Sequence, residues 1–283
     1  MIKAKKHFGQ NFLHDQNVLN KIIQSIPKDM QNIVEIGPGL GDLTSKILQI
    51  SSLVTSYEID SELYELLEKK FAKEIKDGRL RLFCVDALSR WDKNGLSETD
   101  YFLTANLPYY VATKMILNAI EDERCRGLVV MIQKEVAVKF SAKGGESEFS
   151  ALAILASLQG RCELLFDVPS ECFNPPPKVT SSVIKIQKSK NLIGEDAVFK
   201  TKFEYEKFKN LLKTAFSAPR KTLSKNLSAN FDKCLLAEIY GELNLSQNLR
   251  PHEIDANVYL KIFKKLKVND ERRQSCSLKR KEQ

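Results

Sequence analysis

The sequence predicts an α/β protein, a mostly parallel sheet with intervening helices, followed by a small all-helical domain. Three observations predict it. Five apolar runs, at 32–37, 53–59, 80–86, 101–106 and 127–133, alternate with helical stretches, which is the pattern of successive βαβ units. The first run enters a glycine turn, and the next two end at acids, Glu58 and Asp86. From Phe203 onward, apolar residues recur at helical spacing instead.

Taken in order, Ile33 to Ile36 form a strand that runs into Gly37-Pro38-Gly39-Leu40-Gly41, then a helix with Leu43, Ile47 and Leu48 on one face. Glycine lets the backbone adopt positive φ and approach a ligand closely. The spacing is G-x-G-x-G, with Asp42 where dinucleotide binders carry a last glycine. Glu35, just before the turn, is expected to hydrogen-bond the glycine-loop amides. The second strand ends at Glu58, about twenty residues past the glycines, where a carboxylate suits two ribose hydroxyls. Asp60 is the expected N-cap of a helix whose core stripe is Leu63, Leu66, Leu67 and Phe71. The third strand ends at Asp86, placed to accept from an adenine amino group. The fourth, from Tyr101, leads to Ala105-Asn106-Leu107-Pro108-Tyr109-Tyr110, and the fifth to Gln133-Lys134-Glu135. Val179 to Ile186 alternates apolar and polar residues and predicts a last, antiparallel strand. Asn191 to Asp196 breaks the periodicity and is the expected linker. The helical domain is marked by Phe208, Leu211, Leu212, Ala215 and Phe216, then Leu235, Leu236 and Ile239, then Val258, Tyr259, Ile262 and Phe263. After Leu266 the chain turns polar and charged, which predicts disorder. The expected division is therefore 1–190 (with 1–20 an amino-terminal arm), 195–267, and a basic disordered tail at 268–283.

The run at Asn106 carries the chemistry. A nucleobase amine is a poor nucleophile because its lone pair is delocalised into the ring. A site that methylates it must hold the amine and accept from its N–H groups. Asn106 offers a side-chain carbonyl, Leu107 a backbone carbonyl, and Tyr109 a ring to stack on the base; Pro108 stiffens the turn and removes a competing donor. Alone, the run also reads as a strand end with a proline turn. Joined to a glycine turn and two acids on successive strand ends, it describes an S-adenosylmethionine pocket with a nucleobase beside it.

At this point the chain resembles the small-subunit (16S) ribosomal RNA adenine N6-dimethyltransferases, over nearly its whole length. The resemblance rests on the two motifs above and on His7-Phe8-Gly9-Gln10-Asn11-Phe12-Leu13, Met131-Ile132-Gln133-Lys134-Glu135, Phe173-Asn174-Pro175-Pro176-Pro177-Lys178-Val179-Thr180-Ser181 and Leu249-Arg250-Pro251-His252-Glu253. It implies a Rossmann-like class I methyltransferase sheet, with S-adenosyl-L-methionine held by Asn11, Leu13, Gly37, Gly39, Glu58, Asp86 and Asn106. It implies a flipped adenine between Tyr109 and Phe173, and two adjacent adenosines in a hairpin near the 3′ end of 16S rRNA as substrate. It departs from the family pattern at Tyr110, Phe149-Ser150 and Ala218-Pro219, the last removing one positive charge from an RNA-facing segment. Three other readings stay open: a large-subunit adenine methyltransferase of the macrolide-resistance kind, a non-enzymatic RNA-binding or assembly factor on the same fold, and a transcription factor descended from it.

Charge and composition narrow the partners. The net charge of +8 is unevenly spread: residues 11–177 carry 18 bases against 24 acids, whereas 178–234 carry 13 against 5. Clustered Lys and Arg predict a polyanion partner, with Lys178, Arg220 and Lys221 as the candidate RNA contacts. No apolar run approaches the roughly 18 residues that span a bilayer. The six cysteines and three histidines are scattered without a C-x-x-C pair, which argues against a metal or a disulfide framework and for thiols in a reducing cytoplasm. The expected protein is a cytoplasmic monomer acting on 16S rRNA in the pre-30S subunit.

Overall fold

The computed structural model describes residues 4–279, side chains 92–94 and 269–279 and that of Lys6 excepted. Two compact units emerge, one of residues 1–141 and 159–191, the other of 142–158 and 192–283. One boundary between them falls between Asn191 and Leu192. The stretch 142–158, expected inside the sheet domain, belongs instead to the helical unit.

The first unit is built on a seven-stranded sheet. Its elements are β1 (Phe12–Leu13), α1 (Gln16–Ser25), β2 (Asn32–Ile36), α2 (Asp42–Ile50), β3 (Leu53–Glu58), α3 (Ser61–Lys70), α4 (Ala72–Lys76), β4 (Leu80–Cys84), α5 (Ala87–Asn94), β5 (Tyr101–Asn106), α6 (Ala112–Glu121), β6 (Cys125–Gln133) and α7 (Lys134–Ser141). The helical unit then contributes α8 (Ala151–Ser157) before the chain returns as β7 (Gly160–Val168), β8 (Phe173–Asn174) and β9 (Ser181–Lys188). The strand order is β4-β3-β2-β5-β6-β9-β7. The first five are parallel; β9 lies antiparallel between β6 and β7. Strands covered by helices on both faces read as continuous apolar runs, and Ile33, Val34, Phe102, Leu103, Val129 and Val130 are accordingly buried.

Local chemistry starts the helices. Asp15, Asp60 and Asp86 each accept from a backbone N–H in the first turn of α1, α3 and α5, which satisfies donors the helix leaves open. The arm expected to reach residue 20 therefore gives way to a helix at Gln16.

The second unit holds α9 (Lys202–Ala215), α10 (Leu223–Leu227), α11 (Lys233–Glu242) and α12 (Ala256–Lys279). Its core gathers Phe199, Phe208 and Phe263, with the Phe208 ring centroid 5.2 Å from that of Phe199 and 5.3 Å from that of Phe263. Where the sequence leads one to expect disorder from residue 268, α12 continues to Lys279. That stretch contains neither Gly nor Pro, the two residues that cost a helix interior most. The rest of the expected tail lies outside the described residues.

Candidate active site

β2 lies where the strand order reverses, with β3 on one side and β5 on the other, the position where open α/β sheets hold ligands. The carboxyl ends of β2, β3 and β5, with the turn after β4, line one cavity of about 220 Å³. Its wall includes Asn11, Leu13, Gly37, Gly39, Glu58, Asp86, Asn106, Leu107, Pro108 and Tyr109. The fold thus brings most of the predicted site residues together; Phe173, Lys178, Arg220 and Lys221 are not on that wall.

The glycine turn has a physical requirement at two places. Gly37 and Gly39 take φ of 66° and 60°, left-handed values that disfavour a side chain. A Cβ at Gly39 would meet the Phe12 ring at 3.1 Å, whereas nothing lies within 4 Å of one at Gly37. The Gly39 N–H donates to Glu58 Oε2 at 3.2 Å, and the Asp60 N–H donates to Glu58 Oε1 at 2.9 Å. Glu58 is 3% exposed; burial pushes its carboxyl above the ordinary range, against the pull of these N–H donors.

Glu35 plays a different part from the one expected. The amides of Gly37, Gly39 and Gly41 bond Tyr57 O, Glu58 and Pro38 O, so none is left for it. Glu35 Oε2 instead accepts from Thr44 Oγ1 at 2.7 Å and Ser56 Oγ at 3.1 Å, stitching β2 to α2 and β3. Its Oε1 is buried without a partner, and burial pushes the carboxyl up to about 7.

Asn106 closes the opposite side. Its Nδ2 donates to the Asn11 carbonyl at 2.9 Å, which fixes the amide and leaves Oδ1 as its open acceptor. The Leu107 N–H is used by Met131 O at 3.1 Å, which holds the turn to β6. The Tyr109 hydroxyl bonds Ser181 Oγ at 2.7 Å, tethering the ring to the first residue of β9. Burial raises the phenol's pKa, and the Ser181 bond acts against it. Ser181 was not legible as a site residue, since its register beside Tyr109 depends on the antiparallel pairing of β9. Tyr110, 68% exposed, stands at the rim.

Phe173, expected to stack on the base, is placed in the core. β8 pairs antiparallel with β1, setting Phe173 opposite Leu13. That register buries the ring to 3% exposure in the core beside Leu13, Met131, Cys172 and Val183. Lys178 is exposed between β8 and β9; Arg220 and Lys221 are exposed in the turn between α9 and α10 of the helical unit.

Among the described residues, no group of three or more His, Cys, Asp or Glu could hold a metal ion. No helix there is long and apolar enough to cross a membrane.

A glycine turn, an acid ending the next strand and an amide ending a third, all around the reversal point of a parallel sheet, suit an S-adenosylmethionine-dependent methyltransferase. The family model for ribosomal RNA adenine dimethylase matches residues 1–268, and the chain belongs to that family. It is therefore an enzyme whose methyl donor is S-adenosyl-L-methionine and whose substrate is ribosomal RNA. The chain is 72% identical to ribosomal RNA small subunit methyltransferase A of Campylobacter curvus, over 100% of both chains. It is 52% identical to the protein of that name from Campylobacter jejuni, covering 97% of this chain and 99% of that one. Among solved structures, a dimethyladenosine transferase from Plasmodium falciparum is similar with a TM-score of 0.73 and 28% identity, over 89% of this chain and 95% of that chain. The 23S rRNA methyltransferase ErmE shares the fold (TM-score 0.69, 18% identity, 91% of this chain and 100% of that one). The residues present fit the donor, since the open space at Gly37 and the buried Glu58 carboxylate face one cavity.

Proposed function

We propose that this chain dimethylates N6 of two adjacent adenosines in a hairpin near the 3′ end of 16S rRNA, acting as a cytoplasmic monomer on the pre-30S subunit. Full-length similarity to relatives named for the small subunit supports this over a large-subunit substrate. The observation that carries the chemistry is the Asn106 amide, locked by Asn11 O with its carbonyl left open.

In this reading Glu58 and Asp86 hold the donor's ribose and adenine, with Gly37, Gly39, Asn11 and Leu13 shaping the rest of its pocket. The donor supplies a methyl group made electrophilic by its sulfonium. Asn106 Oδ1 and the Leu107 carbonyl accept from the amine of the target base and draw its lone pair out of conjugation. Tyr109, anchored by Ser181, presents its ring to the base. Stacking of this kind is worth about 1–3 kcal/mol per base, which helps offset the few kcal/mol spent unstacking an adenine. Alignment of this sort supplies several kcal/mol of a barrier. Asn106 is no base, and none is required: the methylated ammonium is acidic and sheds its proton to water. Lys178, Arg220 and Lys221 contact RNA phosphates.

Mapping dimethylated adenines in rRNA from cells lacking the protein tests the assignment. Loss of the modification from the adjacent pair near the 3′ end of 16S rRNA, restored by the wild-type gene but not by an Asn106→Ala copy, is the expected result. An unchanged 16S pattern would overturn it.

A further inference from the structure

The amino-terminal segment is fastened at a point that the methyl-transfer chemistry does not use. Asp60 is 1% exposed, yet its carboxylate faces the arm. Lys5 Nζ lies 2.7 Å from Oδ1 and Gln10 Nε2 donates to Oδ2 at 2.9 Å. Gln10 Oε1 in turn accepts from the Lys5 backbone N–H at 2.7 Å, so the two arm residues and the acid close a ring of hydrogen bonds. Glu62 adds a second carboxylate 3.0 Å from Lys5 Nζ. An N-cap alone needs one oxygen of Asp60, for the Glu62 N–H; the rest of the network exists only because the arm is there.

From this clasp the arm crosses three neighbouring strand ends. Gln10 holds it at Asp60 after β3, Asn11 O takes the Asn106 amide at the end of β5, and the Phe12 ring then lies against Gly39 after β2. Phe8, Gly9, Gln10, Asn11, Phe12 and Leu13 form that side of the cavity. The same Asp60 reaches inward through its backbone N–H, which holds Glu58 Oε1.

We propose that Lys5, Gln10 and Asp60 form a latch that makes residues 4–13 a releasable strap over the donor cavity, with Asp60 a positioning residue for both donor retention and the Asn106 amide. This rests on the donor occupying that cavity. A base that receives two methyl groups requires spent donor to leave and fresh donor to enter between transfers, and closure of segments over bound ligand commonly sets such exchange. The latch is placed to release: Lys5 retains 26% of its side-chain exposure, within reach of competing water.

The test compares wild type with Lys5→Met, Gln10→Leu and Lys5→Arg. Donor dissociation is followed by stopped-flow displacement, and backbone hydrogen exchange is read across Gln10–His14. Lys5→Met and Gln10→Leu are expected to speed donor dissociation about three- to tenfold and to raise exchange in that segment, with β2 and β3 amides unchanged. Lys5→Arg is expected to restore both. Unchanged dissociation and unchanged arm exchange in folded Lys5→Met and Gln10→Leu proteins would overturn the latch. Glu58→Ala separates the two readings: if it leaves donor affinity intact, the cavity assignment is wrong, whereas if it weakens the donor while the arm variants stay silent, the latch alone fails.

Discussion

Glu35→Gln should change how stability depends on pH, in a direction fixed by burial. Glu35 is 1% exposed, with one oxygen bonded to two hydroxyls and the other to none. Desolvation, the largest influence, pushes its carboxyl up from 4.5 to about 7, with the Thr44 and Ser56 hydroxyls pulling weakly the other way. A shift of that size corresponds to about 3 kcal/mol against the charged form. Between these two pH values the folded protein binds more protons than the unfolded chain, so this group's contribution is present below about 4.5 and is lost as pH rises through about 7. Glutamine keeps the shape and an acceptor oxygen but does not titrate. The stability difference, variant minus wild type, should therefore move in the variant's favour by up to about 3 kcal/mol between pH 4.5 and 8. Carboxylates held below their usual range, such as Asp167 beside Lys134, titrate in both proteins and cancel in the difference. Urea unfolding of both proteins at several pH values measures it. Parallel curves across the window would refute the reasoning, because they would mean Glu35 is charged at no cost.

Three further outcomes bear on the site. Asn106→Ala should lower single-turnover methyl transfer by about two orders of magnitude, as expected for a misplaced nucleophile, while calorimetry still detects donor binding. Glu58→Ala should weaken donor binding by one to two orders of magnitude, since a charged acceptor is worth about 1.5–3 kcal/mol. Arg220→Ala with Lys221→Ala should weaken RNA binding without altering donor affinity, and filter binding should show the salt slope reduced by about 0.7–0.9 for each phosphate that is no longer neutralised.

Local periodicity and capping chemistry made much of this protein legible from its sequence alone. The five parallel strands follow from apolar runs, because a strand buried on both faces has no polar side to show. The glycine turn, Glu58, Asp86 and Asn106 fall at strand ends by order along the chain, and in a parallel sheet every such end points to the same edge, so their convergence was implicit. Asp60 as an N-cap needed only its immediate neighbours. Pairings across long separations were settled by tertiary structure. β7 mixes exposed and half-buried residues at a sheet edge and shifts register between Leu164 and Phe166, so no clean alternation announced it. Phe173 lies in the core because β8 found β1, far back along the chain. Residues 142–158 joined the helical unit although they precede two strands of the sheet. The second role of Asp60 and the orientation of the Asn106 amide depend on arm residues 55 and 95 positions away. Spacing patterns report on neighbours three or four residues apart; which distant groups share a hydrogen bond is decided only when the packed sheet brings their strand ends to one edge.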